Sequence, residues 1–111
     1  MPADIFESCT RADSEVAGVF EYADDVGYFY LYDLNQSPNA KILDSIFIVS
    51  GDLDFAASDI SIRWSSKGER VGLFIREVLW AVFDVSKNKK YGGNYIMDVK
   101  PTLPSIATFD F

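Results

Sequence analysis

The sequence has no histidine and a single cysteine, Cys9, and these scarcities narrow the chemistry open to the chain. Histidine is the usual general base near neutral pH and the commonest metal ligand, so catalytic triads and metal sites that depend on it are excluded. One cysteine cannot form a disulfide within the chain, which is typical of a reducing cytoplasm. No base is assignable to Cys9, and we interpret it as an ordinary small side chain. We therefore expect a protein without catalytic activity.

The chain also has no long apolar run and no leader-like N-terminus. No segment approaches the ~18 apolar residues that span a bilayer, and residues 1–15 carry acids where a signal peptide would be basic and then apolar. With 111 residues, 49% of them hydrophobic, the chain is long enough to bury a core of its own. We expect one domain over residues 1–111, located in the cytoplasm, with no membrane partner and no cofactor.

Basic residues are scarce in the first half of the chain. Residues 1–60 contain twelve acidic side chains and two basic ones, a net charge of −10, whereas residues 61–111 contain eight basic and five acidic ones, a net charge of +3. This balance opposes binding to nucleic acid, which requires lysine and arginine at the phosphates. An acidic surface would attract a basic protein partner. The same charge would also keep a small protein soluble, and the sequence alone leaves both interpretations open.

Short runs of alternating residues predict a mainly β protein. The predicted strands lie at residues 18–23, 28–33, 42–49, 59–64, 69–76 and 78–85. We expect hairpins and an antiparallel meander that form one curved sheet or a small sandwich. Helix is limited to a turn or two in residues 3–16, before a first strand that begins near residue 17, and at most one turn at the start of 42–49. Residues 86–111 are expected to form a C-terminal loop and tail, and the prolines of the tail favour an edge strand.

Two of the predicted strands, 42–49 and 78–85, are apolar on both faces. A second sheet layer, the termini or a partner subunit must cover the extra face. The sequence is therefore compatible with a homodimer, in which a partner subunit covers this face.

Acidic residues cluster in two short segments. Asp24 and Asp25 stand between the first two predicted strands, and Asp52 and Asp54 follow the third, with Asp59 close behind. Paired carboxylates can hydrolyse glycosides or bind Mg²⁺ or Ca²⁺, but neither segment has the ligand spacing of a calcium loop. We favour turns, with residues 24–27 forming a four-residue hairpin loop built on a type I turn. If these carboxylates have a function, they supply negative charge to a binding surface.

Tyr28, Tyr30 and Tyr32 share one face of their predicted strand. We favour an interpretation in which they cap the core with their hydroxyls outward. If they are exposed, a protein interface is their natural use, because tyrosine is enriched at binding hot spots. A stacking platform for bases would need a basic groove, and this segment lies in the acidic half.

Two further groups of residues suggest ligand binding. KNKKYGG (87–93) joins three lysines to two glycines but does not have the spacing of a phosphate loop, so we interpret it as a solvated loop. Trp64, Trp80 and Phe83 could line a small-molecule pocket between the sheet and the tail, although buried tryptophans usually belong to the core.

Two segments together resemble a known family. VFEYADDVGYFYLYD (19–33) is similar to the acidic-turn, Gly-Tyr-Phe-Tyr hairpin of a family of small bacterial proteins classed as a domain of unknown function. IRWSSKGERVGLFI (62–75), followed by AVFDV (81–85), resembles the remainder of that pattern. The resemblance spans residues 19–85 and does not extend to residues 86–111. It implies a bacterial origin and carries no activity and no catalytic residue.

From these observations we expect a non-catalytic protein-binding module whose acidic half faces its partner. A specific version is an immunity-type inhibitor that covers a basic toxin or nuclease site. The alternative is a small-molecule-binding protein with an aromatic pocket.

Overall fold

The strands form two four-stranded antiparallel sheets, which confirms the prediction of a mainly β, antiparallel fold. A computed structural model describes residues 4–96 and residue 101. The first sheet contains β1 (Ile5–Thr10), β2 (Val16–Ala23), β3 (Val26–Asp33) and β4 (Ile42–Ser50), and the second contains β5 (Ile60–Trp64), β6 (Arg70–Ile75), β7 (Val78–Asp84) and β8 (Lys89–Gly92). Both sheets are meanders in chain order. Two short 3-10 helices, Pro38–Ala40 and Ala57–Asp59, precede β4 and β5, and no helix of the described part is long and apolar enough to cross a membrane.

The core lies between the inner faces of the two sheets. Alternate residues of each strand point inward, so that Phe29 of β3 meets Phe83 of β7 with ring centroids 5.1 Å apart. Gly18 of β2 allows this close approach, because a Cβ atom there would lie 2.7 Å from Cγ2 of Val71 in β6. Burial of these apolar side chains is the main force that holds the sheets together.

The N-terminal segment is a strand, and the prediction of helical turns in residues 3–16 was wrong over its described part. β1 begins at Ile5, well before the expected first strand near residue 17, and pairs with β2 along its whole length. Ile5 is buried and Phe6 is exposed, so the strand alternates as an edge strand should. The segment at 42–49, for which a helical first turn had been considered, is also a strand throughout.

The hairpin between β2 and β3 turns in two residues instead of the four predicted. Asp24 and Asp25 have φ values of 53° and 63°, as in a type I′ turn, whose twist matches that of the flanking strands. Gly27 lies inside β3, opposite Tyr22, and is required by packing, since a Cβ atom there would lie 3.0 Å from Cγ1 of Val49. The predicted reversal at residues 76–77 uses the same two-residue geometry.

The segment predicted as a solvated loop at residues 87–94 contains β8, which pairs with β7 and completes the second sheet. After it, the backbone amides of Asn94 and Tyr95 donate hydrogen bonds to the carbonyl oxygens of Phe47 and Ile48 in β4, at 3.0 and 2.7 Å. These bonds link the edges of the two sheets. The edge strand predicted for the tail lies outside the described residues.

Candidate functional site

The outer face of the first sheet, turned away from the second sheet, carries a row of aromatic side chains. Tyr28, Tyr30 and Tyr32 project from β3 on this side and are half-buried, whereas the intervening Phe29 and Leu31 are buried in the core. The predicted common face for the three tyrosines is therefore present in the fold.

The tyrosine rings are in contact and continue into β4. The Tyr28 and Tyr30 rings stack with centroids 5.7 Å apart and an interplanar angle of 23°, and Tyr32 follows edge-on at 5.9 Å from Tyr30. Phe47 of β4, 39% exposed, lies edge-on to Tyr28 at 5.7 Å. We call these four residues the tyrosine face. Such offset and edge-on arrangements are the favourable ones for aromatic rings.

The tyrosines also cover apolar surface of the neighbouring strand. Val19 and Ala17 of β2 lie opposite Tyr30 and Tyr32, and both are buried. Burial raises the pKa of the Tyr30 and Tyr32 hydroxyls above the usual 10.0, and the nearby Glu21 carboxylate raises it further. Near neutral pH these hydroxyls are therefore uncharged and able to donate hydrogen bonds. The face is partly a cap on apolar residues and partly an accessible aromatic surface.

A transverse row of side chains crosses all four strands at one end of this face. Phe6 of β1 lies opposite Glu21 of β2, Glu21 lies opposite Tyr28 of β3, and Tyr28 lies opposite Phe47 of β4. Phe6 is 59% exposed, so accessible aromatic rings stand at both edges of the row. Glu21 is half-buried between them and makes no hydrogen bond or ion pair with any residue in the described part of the chain.

Acidic side chains surround the same end of the sheet. The buried Tyr22 hydroxyl donates its proton to the carbonyl oxygen of Gly51, at 2.8 Å, and lies 3.5 Å from Oδ1 of Asp25. These contacts hold the β2–β3 turn against the loop that follows β4. Burial raises the pKa of Tyr22, and the negative charges of Asp25, Asp52 and Asp4 raise it further. We call Asp4, Asp24, Asp25 and Asp52 the acidic end.

Asp54 does not belong to this acidic end, although the sequence groups it with Asp52. Its Oδ1 accepts a hydrogen bond of 2.7 Å from the Tyr95 hydroxyl, and its Oδ2 pairs with Nη1 of Arg76 at 3.3 Å. Asp59 also pairs with Arg76, at 3.7 Å. These carboxylates therefore serve internal contacts. Within residues 4–96, no group of three or more acidic or cysteine side chains is arranged to hold a metal ion.

The aromatic residues predicted to line a small-molecule pocket lie in different surroundings. Trp80 and Phe83 are buried in the core. Trp64 borders a cleft of about 170 Å³ beside Arg11, and its indole Nε1 donates to the Cys9 carbonyl oxygen at 2.8 Å. The tail that would form the other wall of the predicted pocket lies outside the described residues.

The lysine-rich segment contributes one internal ion pair. Lys90 Nζ contacts Oδ1 of Asp44 and the carbonyl oxygen of Ser45, both at 2.8 Å. A larger cleft, of about 300 Å³, opens beside it between β4 and β8, where Phe47 and Tyr91 form part of its lining.

Sequence reasoning missed three residues of this surface: Phe6, Glu21 and Phe47. The strand pattern of GVFEYA places Glu21 on the side opposite Phe20 and Tyr22, which is a usable signal for an outward carboxylate. Phe6 was missed because its segment was not predicted to be a strand. Phe47 was missed because β4 is apolar on both faces, which hides the outward residues.

Comparison with known proteins identifies a bacterial family. A family model described as an uncharacterized protein conserved in bacteria (DUF2251) matches residues 3–103. This confirms the resemblance to a bacterial family of unknown function. The match also includes residues 86–103, where the sequence had shown no resemblance. No curated protein and no solved structure matches the chain.

Proposed function

The chain belongs to this family of uncharacterised bacterial proteins, and we propose that it is a non-catalytic protein-binding module that uses the outer face of its first sheet. The observation that carries the proposal is the tyrosine face, a continuous set of half-exposed rings next to the exposed Phe6. Tyrosine and phenylalanine are enriched at protein interfaces, where they contribute large contact areas at a low entropic cost.

The charge around this face indicates a basic partner. The acidic end adjoins the row that contains Phe6, Glu21 and Tyr28, and the first 60 residues carry a net charge of −10. A negative patch beside an aromatic one steers a positively charged protein into contact and sets its orientation. A four-stranded face whose strands are six to nine residues long measures roughly 20 by 25 Å, which suits the smaller class of protein interfaces.

An immunity-type inhibitor is the specific form of this function that we propose. In that form, carboxylates of the acidic end would cover the basic site of a toxin or nuclease, and the tyrosine face would supply apolar contact. The small size of the chain and the absence of histidine fit such a role.

Capture of partners from a lysate of the source organism tests the proposal. The wild type is compared with a face variant, Tyr28→Ala with Phe47→Ala, and with a charge variant in which Asp24, Asp25 and Asp52 become lysine. Asp54 is left intact because it bonds with Tyr95 and Arg76. We expect a stoichiometric basic protein that high salt releases and that neither variant retains.

A charge reversal away from the acidic end tests whether its position matters. Glu15→Lys lies just before the first residue of β2, at the end of that strand opposite the acidic end, where the side chain is exposed, and should retain the partner. Capture that is the same for the wild type, the face variant and the charge variant would overturn the proposal. If the captured protein is a second copy of this chain, sedimentation at several concentrations would show a homodimer instead of a basic partner.

A second candidate function, small-molecule binding, rests on the cleft of about 300 Å³ between β4 and β8, where Phe47, Tyr91 and Lys90 are near one another. Its volume is at the lower limit for ligand sites. Thermal stability in the presence of a panel of metabolites tests it, and an unchanged melting temperature throughout the panel would argue against this function.

A further inference from the structure

Glu21 differs from Asp44, Asp54 and Asp84 because no hydrogen bond or ion pair from the described residues compensates its charge. Asp44 pairs with Lys90, Asp54 pairs with Arg76, and Asp84 pairs with Arg70. A charged group that is partly removed from water without a partner lowers the stability of the free protein. A cation supplied from outside would remove this penalty.

The surroundings of Glu21 restrict which cation fits. Tyr28 lies opposite it on one side and Phe6 on the other, so aromatic side chains flank a ligand bound at Glu21. A metal ion is disfavoured, since Ca²⁺ and Mg²⁺ require several oxygen ligands and this row offers one carboxylate. An arginine guanidinium satisfies both conditions, because it binds a carboxylate through two parallel hydrogen bonds and stacks on aromatic faces. A lysine ammonium is more strongly hydrated and cannot stack in this way.

We propose that Glu21, together with Tyr28 and Phe6, forms a binding site for an arginine side chain presented by the partner protein. This inference rests on the proposed function and specifies the chemistry that the partner must offer. The acidic end next to the row would attract further basic residues on either side of that arginine.

Peptide titration tests the arginine site without knowledge of the partner. The probe is a blocked peptide of three arginines separated by glycines, compared with the same peptide carrying lysine or the neutral isostere citrulline. Backbone amide shifts in NMR spectra report binding. We expect the arginine peptide to shift the resonances of Glu21, Tyr28 and Phe6 and to bind about fivefold or more tightly than the lysine peptide.

A matched pair of variants checks which carboxylate is responsible. Glu21→Gln should weaken arginine binding by about fivefold or more, whereas Glu7→Gln should change it by less than about twofold. Glu7 is also half-buried and lies on the adjacent strand β1, but it faces the side of the sheet that carries Phe20. Both variants remove one negative charge, so the comparison isolates position from charge. Glu21→Gln should melt at or above the wild-type temperature, because it removes an uncompensated charge.

Three results would overturn the arginine site: equal affinity for the arginine and lysine peptides, wild-type binding by Glu21→Gln, or no shifts at millimolar peptide. These failures differ from failure of the proposed function. If the Tyr28→Ala, Phe47→Ala variant loses the partner but Glu21→Gln binds it normally, the protein-binding face is supported and the arginine site is refuted. If both variants bind the partner as the wild type does, the protein-binding face is also refuted.

Discussion

Replacement of Asp84 by asparagine should lower the free energy of unfolding by about 2–4 kcal/mol. Asp84 is 2% exposed in β7, and its Oδ2 accepts a hydrogen bond of 3.1 Å from Nε of Arg70. Its Oδ1 accepts hydrogen bonds from the Ser86 hydroxyl, at 2.7 Å, and from the Lys87 amide, at 3.1 Å. An asparagine keeps one oxygen acceptor. Its NH₂ group replaces the other oxygen and presents donors either to Arg70 or to the Lys87 amide, which are themselves donors. The loss is therefore at least one charge-assisted hydrogen bond, about 1.5–3 kcal/mol, together with the charge attraction between Asp84 and Arg70.

Asp44→Asn is the matched control, because Asp44 also pairs with a basic residue but lies at the surface. The side chains of Asp44 and Lys90 are 39% and 49% exposed, so their pairing should contribute at most about 1 kcal/mol. Urea unfolding at pH 7, followed by tryptophan fluorescence at matched protein concentration, measures both variants. Equal losses for Asp84→Asn and Asp44→Asn would refute the argument that burial sets the energy of these pairs.

The effect of Asp84 should also depend on pH in a defined direction. Burial alone raises the pKa of Asp84, but hydrogen bonds from Ser86, the Lys87 amide and Arg70 lower it more, so the pKa lies below its usual 3.8. A carboxyl group with a lowered pKa stabilises the folded state fully above its unfolded pKa, about 3.9, and loses this contribution as the pH falls through the folded value. The difference between wild type and Asp84→Asn should thus be constant above about pH 5 and shrink on acidification below about pH 4. A difference that widens in acid would contradict this.

Two further predictions concern turn geometry and are measured by the same urea unfolding. Gly93→Ala should destabilise the fold more than Gly51→Ala, by about 1–3 kcal/mol. Both glycines have a positive φ. A Cβ atom at Gly93 would lie 2.6 Å from the Phe47 carbonyl oxygen, whereas a Cβ atom at Gly51 would have open space. Equal losses would show that φ strain alone matters. Asp25→Gly should stabilise the hairpin by up to about 1 kcal/mol, since Asp25 has a φ of 63° that glycine adopts freely. A loss of stability in this variant would contradict the prediction and indicate that the Asp25 carboxylate supports the turn.

Six of the eight described strands were predictable from the sequence, whereas the edge strands β1 and β8 were not. Alternation in residues 18–33 and 59–76 and the apolar runs at 42–49 and 78–85 predicted strands, and these strands formed as expected. β1 was missed because its outward residues are a mixture of polar and aromatic side chains. β8 was missed because its lysines are typical of a loop, although lysine is also a residue that protects edge strands from pairing. The turn at Asp24 was misassigned because aspartate tolerates the left-handed conformation that normally favours glycine.

The candidate site was predictable only within one strand. Alternation alone places Tyr28 and Tyr32 on one face, but the positions of Glu21 and Phe47 opposite Tyr28 depend on strand register. Irregularities in the pairing of β3 with β4 shift that register at two places, and no local sequence pattern predicts these shifts. The internal role of Asp54 was also not predictable, because its partners Tyr95 and Arg76 are far away in the sequence.

The division of the chain into two successive meanders has a consequence for how the protein folds. Each described strand pairs only with its neighbours in sequence, so every ladder can close through a short hairpin. Sandwiches usually fold slowly because they join strands that are distant in the chain, and their loops are costly to close before any contact forms. Among the described residues, the long-range step is the docking of two halves joined by residues 51–59. The refolding rate should therefore exceed that of sandwiches of equal size whose strands cross between sheets.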